Sequence, residues 1–280
     1  MRTATLMCGA LLLAGIAAAG ESIRVATCAI HPGEGEEVQV DRTLLASLIE
    51  TVRPDIVCLQ HVPRGDAGSG KPELPTALAR EFGMNLAIEP TEAAGSRQHG
   101  NATLSRFEIV SHENIPLPGQ DGDERAGCLR VTVRVAERTL TILNVHLTLD
   151  PDRRVAQAAS VLENGGEDPV VLAGNLGASR KGPALKLLLS RFLDTADFAA
   201  SRTGEGASHA VEPRPGLILV SPGMDVLSSR VFRSPETAAA SDFLLAVAEV
   251  GLREPPENVE DKGVYDTDDE RVTEALVGGE

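Results

Sequence analysis

Two histidines and an aspartate lie at or beside the ends of predicted strands, and their side chains are of types that can take part in chemistry. His61 follows the apolar run 55–60, His146 ends the run 138–146, and Asp242 precedes the run 243–250. Imidazole transfers protons near neutral pH and binds metals. Each residue also has a structural interpretation, because a histidine at a strand end is often a hydrogen-bonded scaffold residue and an aspartate there is often a turn or cap residue.

Other catalytic patterns are not found in the sequence. Ser105 and Ser241 lie in no nucleophile-elbow pattern, and no glycine-rich phosphate loop is present. The acidic cluster 266–269 lacks the glycine and the spacing of a Ca²⁺ loop. Any chemistry therefore depends on how the fold gathers the histidines and their neighbours.

Short apolar runs predict many strands and a few helices that could position these residues. Strands are predicted at residues 23–30, 55–60, 101–110, 128–135, 138–146, 169–173, 217–220, 226–231 and 243–250. Helices are predicted at residues 41–52, 75–82, 153–162 and 183–193. Strands with a few interleaved helices indicate a layered α/β (α+β) domain.

The first twenty residues predict a secretory signal peptide. Arg2 precedes an apolar run from Leu6 to Ala19, and small residues end that run. The run is too short for a membrane-spanning helix. We therefore expect cleavage near Ala19, export to the periplasm or the extracellular space, and no membrane span after the signal is removed.

The remaining chain predicts one domain at residues 21–250, followed by an acidic tail at 251–280. The tail contains ten acidic and three basic residues. A capping-box pattern beginning at Thr267 predicts a short helix within it.

Composition argues against nucleic acid as a partner. The formal net charge is −15 and aromatic residues make up 2% of the chain. A phosphate backbone would be repelled, and bases would find few aromatic rings on which to stack.

Three cysteines remain after the leader, at positions 28, 58 and 128, each within a predicted strand. Buried thiols and a disulfide between Cys28 and Cys58 are both compatible with an exported protein. The sequence leaves this pairing open.

Seven segments, taken in order, resemble the endonuclease/exonuclease/phosphatase superfamily along residues 23–250. The first is residues 23–30 (Ile-Arg-Val-Ala-Thr-Cys-Ala-Ile), which resemble the family's opening strand. Residues 53–62 end in Leu-Gln-His-Val and resemble the family's Leu-Gln-Glu-Val segment. Residues 144–147, Asn-Val-His-Leu, resemble its Asn-Thr-His-Leu. The others are 99–107 (His-Gly-Asn-Ala-Thr-Leu-Ser-Arg-Phe), 169–177 (ending Gly-Asn-Leu-Gly), 216–221 (Gly-Leu-Ile-Leu-Val-Ser) and 241–243 (Ser-Asp-Phe).

The resemblance implies a four-layered α/β sandwich, with two mostly antiparallel sheets face to face and helices outside. It also implies a Mg²⁺-dependent phosphodiesterase site in which most functional positions are substituted. Six functional positions of the family are substituted. Ala29 replaces an asparagine, His61 a glutamate, Asn175 an aspartate, Gly177 an asparagine, Gly216 an aspartate and Phe243 a histidine. His146, Asp242 and Asn101 are retained and are the candidate catalytic residues. Asn101 and Asn144 are also scaffold residues of the family, and His99 replaces a tyrosine.

These substitutions predict that no intact metal site remains. Mg²⁺ prefers oxygen ligands and binds imidazole poorly. In the family's geometry His61, His146 and Asp242 would converge, and that ligand set suits Zn²⁺, which is the alternative metal hypothesis.

Two functional hypotheses follow from the resemblance. The first is a pseudoenzyme that binds a protein or a small phosphate ligand. The second is a divergent metal-dependent phosphoesterase with an altered metal site. Turnover that disappears in a His146→Ala variant would distinguish them.

Overall fold

The computed structural model describes residues 22–30, 42–64, 73–90, 98–118, 126–167, 169–177, 182–198, 216–233 and 244–253. Its helices are α1 (Arg42–Val52), α2 (Leu74–Phe82), α3 (Pro151–Asn164) and α4 (Pro183–Leu188). Its strands are β1 (Ser22–Ala29), β2 (Ile56–Arg64), β3 (Asn85–Pro90), β4 (Gln98–Ser105), β5 (Glu108–Ile115), β6 (Gly127–Val135), β7 (Arg138–His146), β8 (Val170–Asn175), β9 (Leu193–Asp194), β10 (Leu217–Val220), β11 (Met224–Arg233) and β12 (Leu244–Leu252).

The strands form two six-stranded sheets. The first sheet has the order β11-β12-β1-β2-β4-β3, and the second has the order β5-β6-β7-β8-β10-β9. Each sheet contains one parallel pair, β1 with β2 and β7 with β8, while its other pairs are antiparallel. A parallel pair needs a crossover connection, and α1 and α3 lie in these two connections.

Three buried apolar clusters separate four layers. The middle cluster joins the inner faces of both sheets and contains Val25 and Cys58 opposite Val131 and Ile142. A second cluster packs residues of α1 and α2 on the outer face of the first sheet. The third packs α3 and α4 on the outer face of the second sheet. The predicted four-layered sandwich is confirmed.

Local signals explain where α2 and α3 begin and end. Asp150 caps α3, because its side chain accepts hydrogen bonds from the backbone N–H groups of Asp152 and Arg153. Pro151 follows at the first turn, where a missing N–H costs little. Gly83 ends α2 in the left-handed conformation, with φ of 63°.

Several predicted element boundaries were wrong. The run 101–110 was expected to be one strand, but it is divided at Arg106 and Phe107 into β4 and β5, which belong to different sheets. Both halves are apolar enough for a strand, so the composition does not indicate that the chain passes from one sheet to the other between them. Strands β3 and β9 were not predicted, and α4 ends at Leu188 instead of 193.

Cys28 and Cys58 are free thiols, so the possible disulfide is not formed. In the β1–β2 register Cys58 lies opposite Thr27, one residue away from Cys28. Successive strand residues point to opposite faces, and the two thiols accordingly lie in different core clusters. Cys128 is also buried and free.

Some predictions fall on residues outside the described ranges. These are the leader (1–20), Asp242, Phe243 and the acidic tail from 254 onward. Strand β12 continues to Leu252, two residues beyond the predicted end of the domain at 250.

Candidate functional site

The carboxyl ends of the two parallel strand pairs hold four of the predicted site positions. Ala29 lies at the end of β1 and His61 lies near the end of β2, while His146 and Asn175 lie opposite each other at the ends of β7 and β8. Carboxyl ends of parallel strands meet at one edge of a sheet, where open α/β sheets place their ligands. His61 and His146 contact each other across the two sheets, which brings these two strand ends together.

His61 is held at a distortion in β2. The pairing of β2 with β4 shifts register between Leu59 and Val62, so two β2 residues face one β4 residue. His61 has a φ of 55° there, which costs a non-glycine residue roughly 1–3 kcal/mol. A bulge of this kind redirects a side chain, and here it directs the imidazole into the cleft.

Three imidazoles gather at this point. The rings of His61 and His99 are stacked with centroids 4.1 Å apart and planes at 22°. The rings of His61 and His146 meet edge to face with centroids 5.9 Å apart. His61 and His146 are buried, with 6% and 3% of their surfaces exposed, while His99 is partly exposed. His99 was not among the predicted site residues, although its place directly before Gly-Asn-Ala was a usable signal.

The orientation of the His61 ring is set by the backbone. Its Nδ1 lies 3.1 Å from the carbonyl oxygen of Ile30. A carbonyl can only accept, so Nδ1 carries the proton in that hydrogen bond. In a neutral imidazole Nε2 is then the nitrogen with the lone pair.

A buried amide network ties the two sheets together beneath the histidines. The side-chain nitrogen of Asn144 in β7 donates to the carbonyl of Ala102 at 2.9 Å, while its oxygen accepts from Gln60 Nε2 at 2.8 Å. Asn101 Nδ2 donates to the carbonyls of Asn144 and Gly127, at 2.9 and 3.0 Å. Asn101, predicted as a site residue, is therefore part of the scaffold through its amide nitrogen.

Two oxygen atoms of this network accept no hydrogen bond from the described residues. They are Gln60 Oε1 and Asn101 Oδ1, and both are buried. Buried polar atoms are usually satisfied by protein or ordered water.

The loop after β8 holds two substituted positions. Asn175 Oδ1 accepts from the backbone N–H of Gly177 at 3.0 Å, and Gly177 is left-handed with φ of 55°. Asn175 thus has its oxygen engaged in a turn.

Arg154 packs beside Gly177 and donates from Nε to the carbonyl of Thr148 at 2.8 Å. Burial lowers the pKa of Arg154 from its ordinary value, and the Asp150 carboxylate opposes that change.

Glycine at 174 is required by the close approach of β7. A Cβ atom there would overlap with the carbonyl oxygen of Val145. The segment keeps this glycine while the residues after it differ from the family's pattern.

Gly216 lies against Thr27 in a tight space. A Cβ atom at 216 would be 3.0 Å from Thr27 Cγ2 and 3.5 Å from the Cβ of Ala246. Apolar contacts are ordinarily about 3.5–4.0 Å. A side chain at 216 therefore requires Thr27 to move. A shallow pocket opens on the same glycine, lined also by Thr195, Ser229 and Arg230.

Within the described ranges, no three histidine, cysteine, aspartate or glutamate side chains present a ready-made metal arrangement. Asp242, the third residue of the hypothetical Zn²⁺ set, is not among these residues, so that set stays a prediction. Among the same residues no helix is long and apolar enough to cross a bilayer.

Comparison with known proteins identifies the family. The model of the Endonuclease/Exonuclease/phosphatase family matches residues 32–242. The chain belongs to this family. A relative, the uncharacterized protein YbhP of Escherichia coli K12, is 31% identical over 182 residues, which cover 57% of this chain and 68% of YbhP.

Solved structures of this family share the fold. An endonuclease/exonuclease/phosphatase from Beutenbergia cavernae has a TM-score of 0.66 at 22% identity, over 82% of this chain and 72% of that chain. The catalytic domain of human Nocturnin, solved with a bound sulfate anion, has a TM-score of 0.64 at 19% identity, over 83% of this chain and 94% of that chain. At these identities the likeness extends to the fold alone.

The residues present do not fit the Mg²⁺ that the family resemblance implies. Mg²⁺ requires oxygen ligands in near-octahedral geometry. Position 61 offers an imidazole, position 29 offers a methyl group, and position 216 offers no side chain. The donors gathered in the described cleft are mainly nitrogen atoms of histidine.

Proposed function

We propose that this chain is an exported member of the family that acts by binding and does not carry out Mg²⁺-dependent phosphodiester hydrolysis. One observation carries the proposal. The position of the family's metal-binding glutamate is occupied by His61, whose ring is stacked on His99 and touches His146. An imidazole there cannot replace a carboxylate as a Mg²⁺ ligand.

The other substituted positions support the same conclusion. Asn175 stands where the family has the aspartate that orients or deprotonates water, and its amide cannot accept that proton. Its oxygen is already engaged with the N–H of Gly177. A general acid or base typically contributes about 10² to 10⁴ in rate, and losses within one catalytic unit are not additive. The combined substitutions are expected to abolish the family's reaction.

Crowding at Gly216 supports the view that the cleft has adapted to these losses. The family's aspartate at this position would steady a histidine where Phe243 now stands. A Cβ at this position would lie 3.0 Å from Thr27 Cγ2, which is closer than an ordinary contact. A single reversion at 216 would therefore meet a steric barrier.

Export is the second part of the proposal, and the leader pattern of residues 1–20 supports it. The bound partner is a protein or a small phosphate ligand. Nucleic acid is disfavoured, because a net charge of −15 repels a phosphate backbone.

A divergent metal-dependent phosphoesterase is the alternative function. The contact between His61 and the retained His146, at 5.9 Å between ring centroids, favours it, because a rebuilt site would need both imidazoles in one cleft. This alternative predicts metal-dependent turnover that His146→Ala abolishes.

The deciding experiment uses the mature protein without its leader. Hydrolysis of bis-p-nitrophenyl phosphate and of plasmid DNA is measured with Mg²⁺, Mn²⁺, Ca²⁺ and Zn²⁺. His146→Ala is the test variant, and His112→Ala is the matched control, because His112 lies in β5, is exposed, and has its Nδ1 3.1 Å from Glu89 Oε1. We expect the wild type to match His146→Ala, with no turnover above buffer. Turnover in the wild type and the control that is lost in His146→Ala would overturn the proposal.

A further inference from the structure

We draw no further inference here: the strongest candidate, the shallow pocket beside Gly216 between β10 and β11, has the hydroxyl groups of its wall, those of Thr195 and Ser229, already engaged with each other and with the carbonyl of Ile218, so nothing in the structure shows what ligand it would hold.

Discussion

The amide network and the substituted positions lie in the same cleft, yet they differ in how closely they keep the family's residues. Asn101 and Asn144 retain the family's side chains and join strands of both sheets through buried hydrogen bonds. Ala29, His61, Asn175 and Gly216 all depart from the family's pattern, and they lie at or near strand ends. The comparison separates two groups of residues: the retained asparagines join the two sheets, whereas the substituted positions are those to which the resemblance assigns the family's chemistry.

The largest effect on stability is expected from a substitution in the amide network. Asn144→Ala removes an amide that is fully buried and that hydrogen-bonds with Gln60, Ala102, Leu59 and Thr103. Several buried partners would be left unsatisfied, at about 1–3 kcal/mol each. The free energy of unfolding should fall by about 4 kcal/mol, as measured by urea denaturation. A decrease of less than 1 kcal/mol in the free energy of unfolding would show that this network does not stabilise the packing of the two sheets.

The next effect is expected at Gly216. Gly216→Asp would place Cβ 3.0 Å from Thr27 Cγ2, and overpacking a core typically costs about 1–3 kcal/mol. We expect the free energy of unfolding to fall by about 2 kcal/mol.

Thr27→Ser provides the matched control for that change. It removes the crowding methyl but keeps the hydroxyl that accepts from Gln60 Nε2 at 2.9 Å. Gly216→Asp should therefore cost less stability in the Thr27→Ser background than in the wild type. Equal costs in the two backgrounds would mean that Thr27 is not the barrier to restoring the aspartate.

A smaller effect is expected at His61. His61→Gly relieves the left-handed strain of roughly 1–3 kcal/mol, but it loses the buried ring and its hydrogen bond to Ile30. The two terms oppose each other, so stability should remain within about 1 kcal/mol of the wild type in the same urea assay. If His61→Gly lowers the free energy of unfolding as much as Asn144→Ala does, His61 is a structural residue of the scaffold.

The smallest change is expected at the buried thiols, which should neither react nor affect stability at neutral pH. Burial raises the pKa values of Cys58 and Cys128 from 9.0 to about 12, so both remain neutral and unreactive in the folded protein. A thiol reagent at pH 8 should label them only after unfolding. Because the folded pKa values are raised, stability is intact below pH 9 and should fall as pH rises from about 9 to 12. Rapid labelling of native protein would contradict this burial.

Much of the fold was predictable, because apolar runs of strand length and amphipathic helices are local properties. Residues 128–135 and 138–146 were predicted within a residue or two of β6 and β7. The division of residues 101–110 between two sheets was not predictable in this way, since it depends on which neighbours each half meets. The site was predictable only in part for the same reason. The family resemblance pointed to His61 and His146 and marked His99 as a substituted tyrosine, but only the structure places His99 against His61.

The sequence by itself determined the order of the family segments, the layered α/β architecture and the identity of each substituted residue. Only the tertiary structure decided that three imidazoles share one cleft, that Thr27 crowds Gly216, and that Cys28 and Cys58 face different cores. These features are contacts between residues far apart in the chain. A local sequence pattern specifies the element in which a residue lies, but its neighbours depend on how the sheets pack and in which register their strands pair.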